Sequence, residues 1–232
     1  MVRAKPRVVS RDVGVKEMFA DIAPTYDFCN SLMSLRLHRK WRAYATRFLE
    51  LKPGACALDV CSGTGDFIAP LRRLVGPQGT VFGADFCLPM LQRAKAKPAN
   101  GLLIGDACRL PVRSDSMDGI SVGWGIRNVP DPDSAHREIV RVLRRGGRFV
   151  SIDCARPSGK LGRFAEWMFN HCVPILGALF GHGYAYTYLP RSTRRFKSRE
   201  ELKLSMEQAG LRNVGYKDLF FGNICIHWGT KS

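Results

Sequence analysis

A glycine-rich loop between two apolar segments is the first candidate for chemistry in this sequence. The stretch LDVCSGTGDF occupies residues 58–67, and Asp59 precedes the loop within it. Gly63 and Gly65 would let the backbone approach a nucleotide-like ligand closely. Ile68 stands where a dinucleotide fingerprint has its third glycine, so the loop alone does not identify the ligand.

Two further carboxylates end the next two apolar segments. Asp85 follows Gly65 by 20 residues, about the interval at which a ribose-binding carboxylate occurs in nucleotide folds. Asp106 is placed to accept a hydrogen bond from an exocyclic amine such as that of adenine. Because the carboxyl ends of parallel strands meet at one edge of a sheet, we expect these groups to surround one ligand.

The charge of Asp59 indicates which ligand this is. A pyrophosphate needs bare amides and a helix N-terminus, and an adjacent carboxylate would repel it. S-adenosylmethionine has a ribose, an adenine, an ammonium and a sulfonium but no phosphate, so it suits the glycine loop and all three carboxylates. The alternative is a tight strand-to-helix turn with aspartates on the surface.

The elements that must hold these residues alternate along the chain. Nearly all-apolar strands that alternate with helices are typical of a parallel sheet covered on both faces. The predicted strands are 57–60, 80–85, 101–107, 118–125, 148–153 and a closing pair at 213–218 and 223–230. The predicted helices are 16–23, 34–50, 89–96, 134–143, 198–209 and one from the glycine loop to about residue 74. We therefore predict an α/β, Rossmann-like, seven-stranded and mostly parallel sheet with a C-terminal antiparallel hairpin, the fold of class I S-adenosylmethionine-dependent methyltransferases.

The pattern indicates one domain over residues 15–232, after a flexible tail at 1–14. Residues 15–50 are expected to form N-terminal lid helices, the second of them capped by Ser34. Residues 154–190 are long and aromatic and lack the strand–helix alternation. We interpret them as an inserted cover over the acceptor, able to line an apolar channel or simply to pack as a lid.

Composition excludes several classes of protein. The 8 cysteines fall singly, without a CxxC pair or a Cys/His ligand spacing, which predicts reduced thiols and no metal site. No run of about 18 or more apolar residues occurs, so no segment is expected to span a bilayer. The N-terminal segment is basic but has no apolar core of a secretory signal. A cytoplasmic protein is expected.

The net charge of +16 is densest over residues 36–47 and 191–199. Such charge suits nucleic acid, an anionic membrane surface or a merely solvated basic face. A base-extruding motif or an added nucleic-acid-binding domain would accompany nucleic-acid methylation, and neither is present, so we expect no nucleic-acid partner.

Several segments, in order along the chain, resemble the UbiE/MenG family of quinone C-methyltransferases. YDFCNSLMSLRLHRKW at 26–41 and GWGIRNVPD at 123–131 resemble two of its motifs, and RVLRRGGRFVSIDCAR at 141–156 resembles a third. EELKLSMEQAGLRNVGY and CIHWGTK resemble its C-terminal part. The third motif departs from the family at Asp153, where glutamate is usual, and at Ala155, where serine is usual. The resemblance covers the chain from about Val15 onward.

The resemblance implies methyl transfer from S-adenosylmethionine to a ring carbon of a prenylated quinol, most simply demethylmenaquinol. The ubiquinone-pathway methoxy-benzoquinol is the alternative acceptor. The implied cofactor contacts are Thr64, Asp85, Asp106 and Ala107. A further contact in the family is usually serine, and here Gly123 takes its place.

The candidates for catalysis follow the fourth strand or belong to the N-terminal motif. Arg127 could stabilise a phenolate, with a structural salt bridge as the alternative role. Asn128 could hydrogen-bond a quinol oxygen, or be a turn residue. His38 has a suitable side chain for a base, although a lone histidine on a helix is more often structural. The residues assigned to substrate contact in the lid are Tyr26, Asp27 and Asn30.

The sequence is also compatible with other functions and with several partners. An RNA methyltransferase, a protein that binds S-adenosylmethionine without catalysis, and a methyltransferase for a soluble small molecule are the alternatives. A bilayer-resident quinol would bring the enzyme to the inner face of the cytoplasmic membrane, where anionic lipids attract its basic runs. A homo-oligomer or a quinone-biosynthesis complex is also compatible with the sequence.

Overall fold

The computed structural model describes residues 11–157, 159–179, 188 and 192–232. Its strands are β1 (Cys56–Val60), β2 (Thr80–Asp85), β3 (Gly101–Ile104), β4 (Met117–Gly123), β5 (Leu143–Cys154), β6 (Leu211–Leu219) and β7 (Ile224–Lys231). Its principal helices are α1 (Arg11–Ile22), α2 (Tyr26–Met33), α3 (Leu37–Ala45), α4 (Ile68–Val75), α5 (Leu88–Ala94), α6 (Pro132–Val142), α7 (Lys160–Leu179) and α8 (Arg199–Gln208).

The strands form one sheet in the order β3-β2-β1-β4-β5-β7-β6. The first five pair in parallel, and β7 lies antiparallel between β5 and β6. This arrangement confirms the predicted fold. The strand order reverses direction between β1 and β4, so a crevice opens beyond their carboxyl ends, where ligands bind in sheets of this kind.

Helices cover both faces of the sheet because its central strands are apolar on both sides. On one face Ile139 of α6 and Met206 of α8 pack into a core with Leu58 and Ile120. On the other face α4 and the end of α3 pack against residues of β1, β2, β5 and β7. The rigid sheet edge between these layers is what positions the site.

The helix predicted over residues 34–50 corresponds to α3, which begins later, at Leu37, and is shorter. Ser34 does not cap it; its hydroxyl donates to the carbonyl of Asn30 at 2.6 Å and so closes α2. Leu35 and Arg36 then adopt positive φ values of 48° and 62°, which breaks the chain direction before α3 starts at Leu37. A short 3-10 turn, Thr46–Leu49, replaces the predicted last helical turn.

Two other predicted boundaries differ from the structure. Helix α6 starts before Ser134 because the Asp131 carboxylate accepts hydrogen bonds from the backbone of Asp133 and Ser134 and is the cap. The predicted tail is helical from Arg11 to residue 14 as part of α1, and residues 1–10 lie outside the described part of the chain.

The segment expected to be an irregular cover contains a long helix. Helix α7 takes up Lys160–Leu179, while residues 158, 180–187 and 189–191 of this region lie outside what the structure describes. Within the described residues, no helix is long and apolar enough to cross a membrane.

Two buried histidines should make the fold sensitive to acid. Burial lowers the pKa of His136 and of His227 to about 4, below the value in an unfolded chain. The neutral form is therefore favoured in the fold, and stability is lost as pH falls from about 6.5 towards 4. Between pH 7 and pH 5 the stability advantage of wild type over His136→Gln should shrink by roughly 2 kcal/mol. Urea unfolding measures this, with exposed His171→Gln as the control; an unchanged advantage would contradict it.

Candidate functional site

Two adjoining cavities lie at the carboxyl edge of the sheet. The larger, of about 700 Å³, lies beside the glycine loop and reaches Asp85 and Asp106. The smaller, of about 270 Å³, is lined by α1, α2, α3 and α7 and by the turn after β4. Phe19, Tyr26 and Trp124 line both cavities and so form the wall between them. The site is a pair of compartments with an aromatic partition.

Asp85 is the best-held carboxylate of the larger cavity. Its two oxygens accept backbone N–H groups, Oδ2 from Gly63 at 2.8 Å and Oδ1 from Cys87 at 2.8 Å. Each oxygen keeps a second lone pair for another donor. Burial raises the pKa of this carboxyl above its usual range. The loop glycine and the β2 carboxylate are therefore one unit, and Gly63 needs its φ of 56° to form it.

Three other predicted residues also line the larger cavity. Asp106 is exposed and accepts from the backbone of Cys108 at 2.9 Å, and Ala107 beside it is buried. Gly123 belongs there for a steric reason, since a Cβ at this position would lie 2.7 Å from the ring of Phe67. This packing accounts for a glycine where the resembling family usually has serine.

Asp59, predicted to contact the cofactor, lies beneath the glycine loop in the structure. Asp59 is 2% exposed, lines neither cavity, and accepts a hydrogen bond from the hydroxyl of Ser121 at 2.7 Å. Burial raises the pKa of this carboxyl to about 7. Asp59 therefore supports the loop from below. Gly65 likewise lines neither cavity and serves the turn, where its φ is 82° and a Cβ would press on Ile68.

Thr64 and Asp27 connect the loop to the lid. The Thr64 hydroxyl donates to Oδ1 of Asp27 at 2.5 Å, and Thr64 is 1% exposed. Thr64 was predicted to contact the cofactor and Asp27 the substrate; neither lines a cavity, and in the structure they contact each other. The two predicted groups do lie together, but they fasten α2 onto the glycine loop.

Tyr26 and Asn30 do line the smaller cavity. Burial raises the pKa of the Tyr26 hydroxyl, against the opposing effects of the Arg42 charge and a hydrogen bond with Asn30. The phenol therefore stays protonated at neutral pH and can donate a hydrogen bond into the cavity. It is a poor base.

Arg127 lines the same cavity and forms the salt bridge that was its alternative role. Its Nη1 donates to Oδ1 of Asp153, and both side chains are 6% exposed. Burial would lower the pKa of Arg127, but the Asp153 carboxylate raises it above its ordinary value. Its Nε is buried and has no hydrogen-bond partner among the described residues. Arg127 is thus a cation that an ion pair fixes in the cavity wall.

His38 also lines the smaller cavity and is held at both ring nitrogens. Arg42 Nη1 donates to His38 Nδ1 at 2.8 Å, and His38 Nε2 lies 3.3 Å from the hydroxyl of Ser31. Because a guanidinium can only donate, Nδ1 accepts this hydrogen bond and the ring proton is on Nε2.

Arg42 and Asp66 were missed as site residues. Asp66 Oδ2 lies 3.3 Å from Arg42 Nη1 and 3.4 Å from His38 Nδ1. Burial alone would raise the pKa of Asp66, but the contact with His38 and the charge of Arg42 lower it well below its usual range. The Arg42 guanidinium also stacks over the ring of Trp124 at 4.5 Å. Arg42 is therefore buried, although the sequence counted it in a basic surface run.

Asn128 lies on the other side of the partition from the one expected. It lines the larger cavity, and its amide donates to the carbonyl of Trp124 at 3.0 Å. Tyr188 donates to its side-chain oxygen at 3.3 Å. Trp124 itself has a φ of 56°, rare for a large side chain, and these contacts hold it there. In the sequence, only the motif GWGIRNVPD indicates this turn.

The smaller cavity is also lined by Glu166, for which the sequence gives no signal. Glu166 and His38 are the described lining residues whose side chains are candidates for a general base. Within the described residues, no group of three or more His, Cys, Asp or Glu side chains could hold a metal ion.

Comparison with known proteins places the chain among methyltransferases. The model of the ubiE/COQ5 methyltransferase family matches residues 7–231. A demethylmenaquinone methyltransferase of Lactiplantibacillus plantarum is 38% identical over 94% of this chain and 95% of its own length. A ubiquinone/menaquinone biosynthesis C-methyltransferase of Geobacter sulfurreducens is 34% identical over 97% of this chain and 91% of its own length.

Solved structures agree on the fold. A SAM-dependent methyltransferase of Thermotoga maritima is similar with a TM-score of 0.69 and 22% identity, over 94% of this chain and all of that one. One from Aquifex aeolicus has a TM-score of 0.59 and 20% identity, over 82% of this chain and 88% of that one. The match of the family model over nearly the whole sequence, together with relatives above 30% identity, is decisive: this chain belongs to the ubiE/COQ5 methyltransferase family and is a methyltransferase.

Proposed function

We propose that the protein transfers a methyl group from S-adenosylmethionine to a ring carbon of a prenylated quinol, most simply converting demethylmenaquinol to menaquinol. The observation that carries the proposal is the pair of compartments. One has carboxylates around a glycine loop, and the other is mainly apolar with the buried side chains of Arg42 and Arg127. The names of the relatives support the same acceptor.

The larger cavity fits S-adenosylmethionine by its donors, acceptors and charge. Asp85 keeps free lone pairs for the ribose hydroxyls, and Asp106 can accept from the adenine amine. Glu17 adds a carboxylate, so acidic side chains outnumber Lys16, the lining lysine. A ligand with an ammonium and a sulfonium suits this balance, whereas a pyrophosphate does not.

The protein has two tasks besides binding. When bound, S-adenosylmethionine supplies an already activated methyl group, so much of the catalysis is alignment. Loss of a proton from the quinol hydroxyl directs electron density to the ortho carbon, which makes that carbon the nucleophile. Arg127, a cation in the wall of the acceptor cavity, stabilises the resulting oxyanion, with Asp153 fixing the guanidinium in place. Tyr26 donates a hydrogen bond from the partition.

The proton that leaves the quinol hydroxyl goes to His38 or Glu166, the candidates for the general base. His38 can accept it at Nδ1 only if the bond from Arg42 gives way, since that bond uses the lone pair. Glu166 lies on α7 and is half-buried, and its carboxylate accepts a proton without breaking a described hydrogen bond. After methyl transfer the ring proton leaves the methylated carbon for solvent, and the base returns its proton to the oxygen. The aromatic quinol is restored and one proton is released overall.

A benzoquinol of the ubiquinone pathway is the second candidate acceptor. The Geobacter sulfurreducens relative, whose name includes both pathways, favours keeping it. The more similar relatives have the menaquinone name alone, so demethylmenaquinol comes first.

A prenylated quinol resides in a bilayer, so we also propose that the enzyme works peripherally at a membrane surface. Anionic lipids attract basic side chains by about 1 kcal/mol each. Of the predicted basic residues, Arg36, Arg39, Lys40, Arg194 and Arg195 are exposed. Arg42 is buried, Lys197 pairs with Asp133 at 2.5 Å, and Arg191 lies outside the described residues.

Lipid extracts of cells that lack the protein test the proposed function. Mass spectrometry should find accumulated demethylmenaquinone, and restoring the gene should remove it. Accumulation of a demethylated ubiquinone precursor would select the second candidate. A normal quinone profile in the mutant would contradict both.

A further inference from the structure

Apolar side chains ring the mouth of the smaller cavity while remaining exposed to solvent. Leu35, Met168 and Phe220 all line this cavity. They are also 80%, 45% and 43% exposed, respectively. The cavity therefore reaches the surface through an apolar opening. A water-soluble acceptor would gain nothing from such an entrance.

Helix α7 extends this apolar surface. Phe164 and Trp167 are 58% and 56% exposed, and their rings stack with centroids 6.1 Å apart. The opposite side of the helix packs inward through Gly162, where a Cβ would lie 2.2 Å from the carbonyl oxygen of Phe221. Phe221 is itself 58% exposed. Helix α7 and the turn before β7 therefore present one surface. The rim face is defined by Leu35, Phe164, Trp167, Met168, Phe220 and Phe221.

Exposed basic residues border the rim face. Arg36, Arg39 and Lys40 follow Leu35, and Lys160 and Arg163 lie on the first turn of α7. Contiguous exposed apolar patches are uncommon on proteins that stay in water. Aromatic side chains bordered by arginine and lysine are instead typical of surfaces that enter the headgroup region of an anionic bilayer.

We propose that the rim face inserts into the headgroup layer of an anionic membrane, so that the acceptor cavity opens directly into lipid. This inference rests on the proposed function, because it explains how a long-tailed acceptor reaches the cavity without crossing water. The quinol head enters between Leu35 and Phe220 while its tail remains in the bilayer. A second copy of the chain fits the face poorly, because a twofold contact would bring the bordering cations of both copies together.

Vesicle binding of surface variants tests the face. Phe164→Gln/Trp167→Gln changes two exposed residues that do not line either cavity, and Leu204→Gln on α8, 52% exposed, is the matched control. Co-sedimentation with phosphatidylglycerol–phosphatidylcholine vesicles should weaken about 10-fold or more for the double variant. The control should stay within about twofold of wild type. Raised salt should weaken binding of all three proteins.

Two acceptors separate this inference from the proposed function. The double variant should lose turnover of demethylmenaquinol in vesicles but keep that of a tail-less, water-soluble demethylated naphthoquinol. If the double variant binds vesicles as tightly as wild type, the proposed role of the rim face is wrong, and the proposed function is unaffected. The same follows if wild type is a dimer that the double variant splits into monomers. If wild type methylates neither acceptor, the proposed function is wrong. Co-sedimentation then still tests whether the rim face binds membranes.

Discussion

Replacing Arg127 with glutamine should lower the rate of methyl transfer about 100-fold or more while leaving S-adenosylmethionine affinity within about twofold. The guanidinium is buried, permanently charged and part of the wall of the acceptor cavity, so its loss removes stabilisation of the quinol oxyanion. It lines the smaller cavity and not the larger one, so cofactor binding should not need it. Single-turnover kinetics and calorimetry measure the two quantities separately.

The Asp153 salt bridge requires its own control. Removing Arg127 alone strands a buried carboxylate, which costs about 3–5 kcal/mol of stability. Arg127→Gln/Asp153→Asn avoids the stranded charge and should be as slow as the single arginine variant. Asp153→Asn alone keeps the cation and should slow transfer by no more than about 10-fold. If Asp153→Asn alone is as slow as the double variant, the arginine acts only through the ion pair.

Asp85→Ala should weaken S-adenosylmethionine binding by about 100-fold or more. The variant removes a charged acceptor for two ribose hydroxyls and also frees the backbone N–H of Gly63 and of Cys87, so the loop loses its anchor. Asp85→Asn keeps one acceptor oxygen and should lose less affinity, about 10-fold. Titration calorimetry on both, with thermal unfolding to confirm the fold, measures this. Unchanged affinity in Asp85→Ala would remove the ribose assignment.

The parallel sheet was predictable because its information is local. The buried residues of β1 and β4 are nearly contiguous in sequence, and the residue types after each strand indicate a turn. The closing hairpin and the last helix were equally clear, since Ser198 and Glu201 form a capping box readable at three-residue spacing. Patterns that depend on neighbours in sequence therefore carried the fold.

The interior of the site was less predictable because its contacts join distant segments. Asp59 turns to Ser121, 62 positions away, and Thr64 turns to Asp27, 37 positions away. Nothing near Asp59 or Thr64 distinguishes a supporting role from a ligand contact. The pairing of Arg42 with Asp66 likewise exists only once α3 has packed beside the loop. The predicted residues gathered at the right edge, but their partners were decided by tertiary packing.

Transfer of a labelled methyl group to demethylmenaquinol is the most direct test of the central claim. The purified enzyme is incubated with S-adenosylmethionine bearing a trideuterated methyl group and with reduced acceptor in vesicles, and the product is analysed by mass spectrometry and NMR. We expect one intact trideuterated methyl group on the ring carbon ortho to a hydroxyl. A label on oxygen, or no labelled quinol while S-adenosylmethionine still binds, would contradict the assignment as a quinol C-methyltransferase.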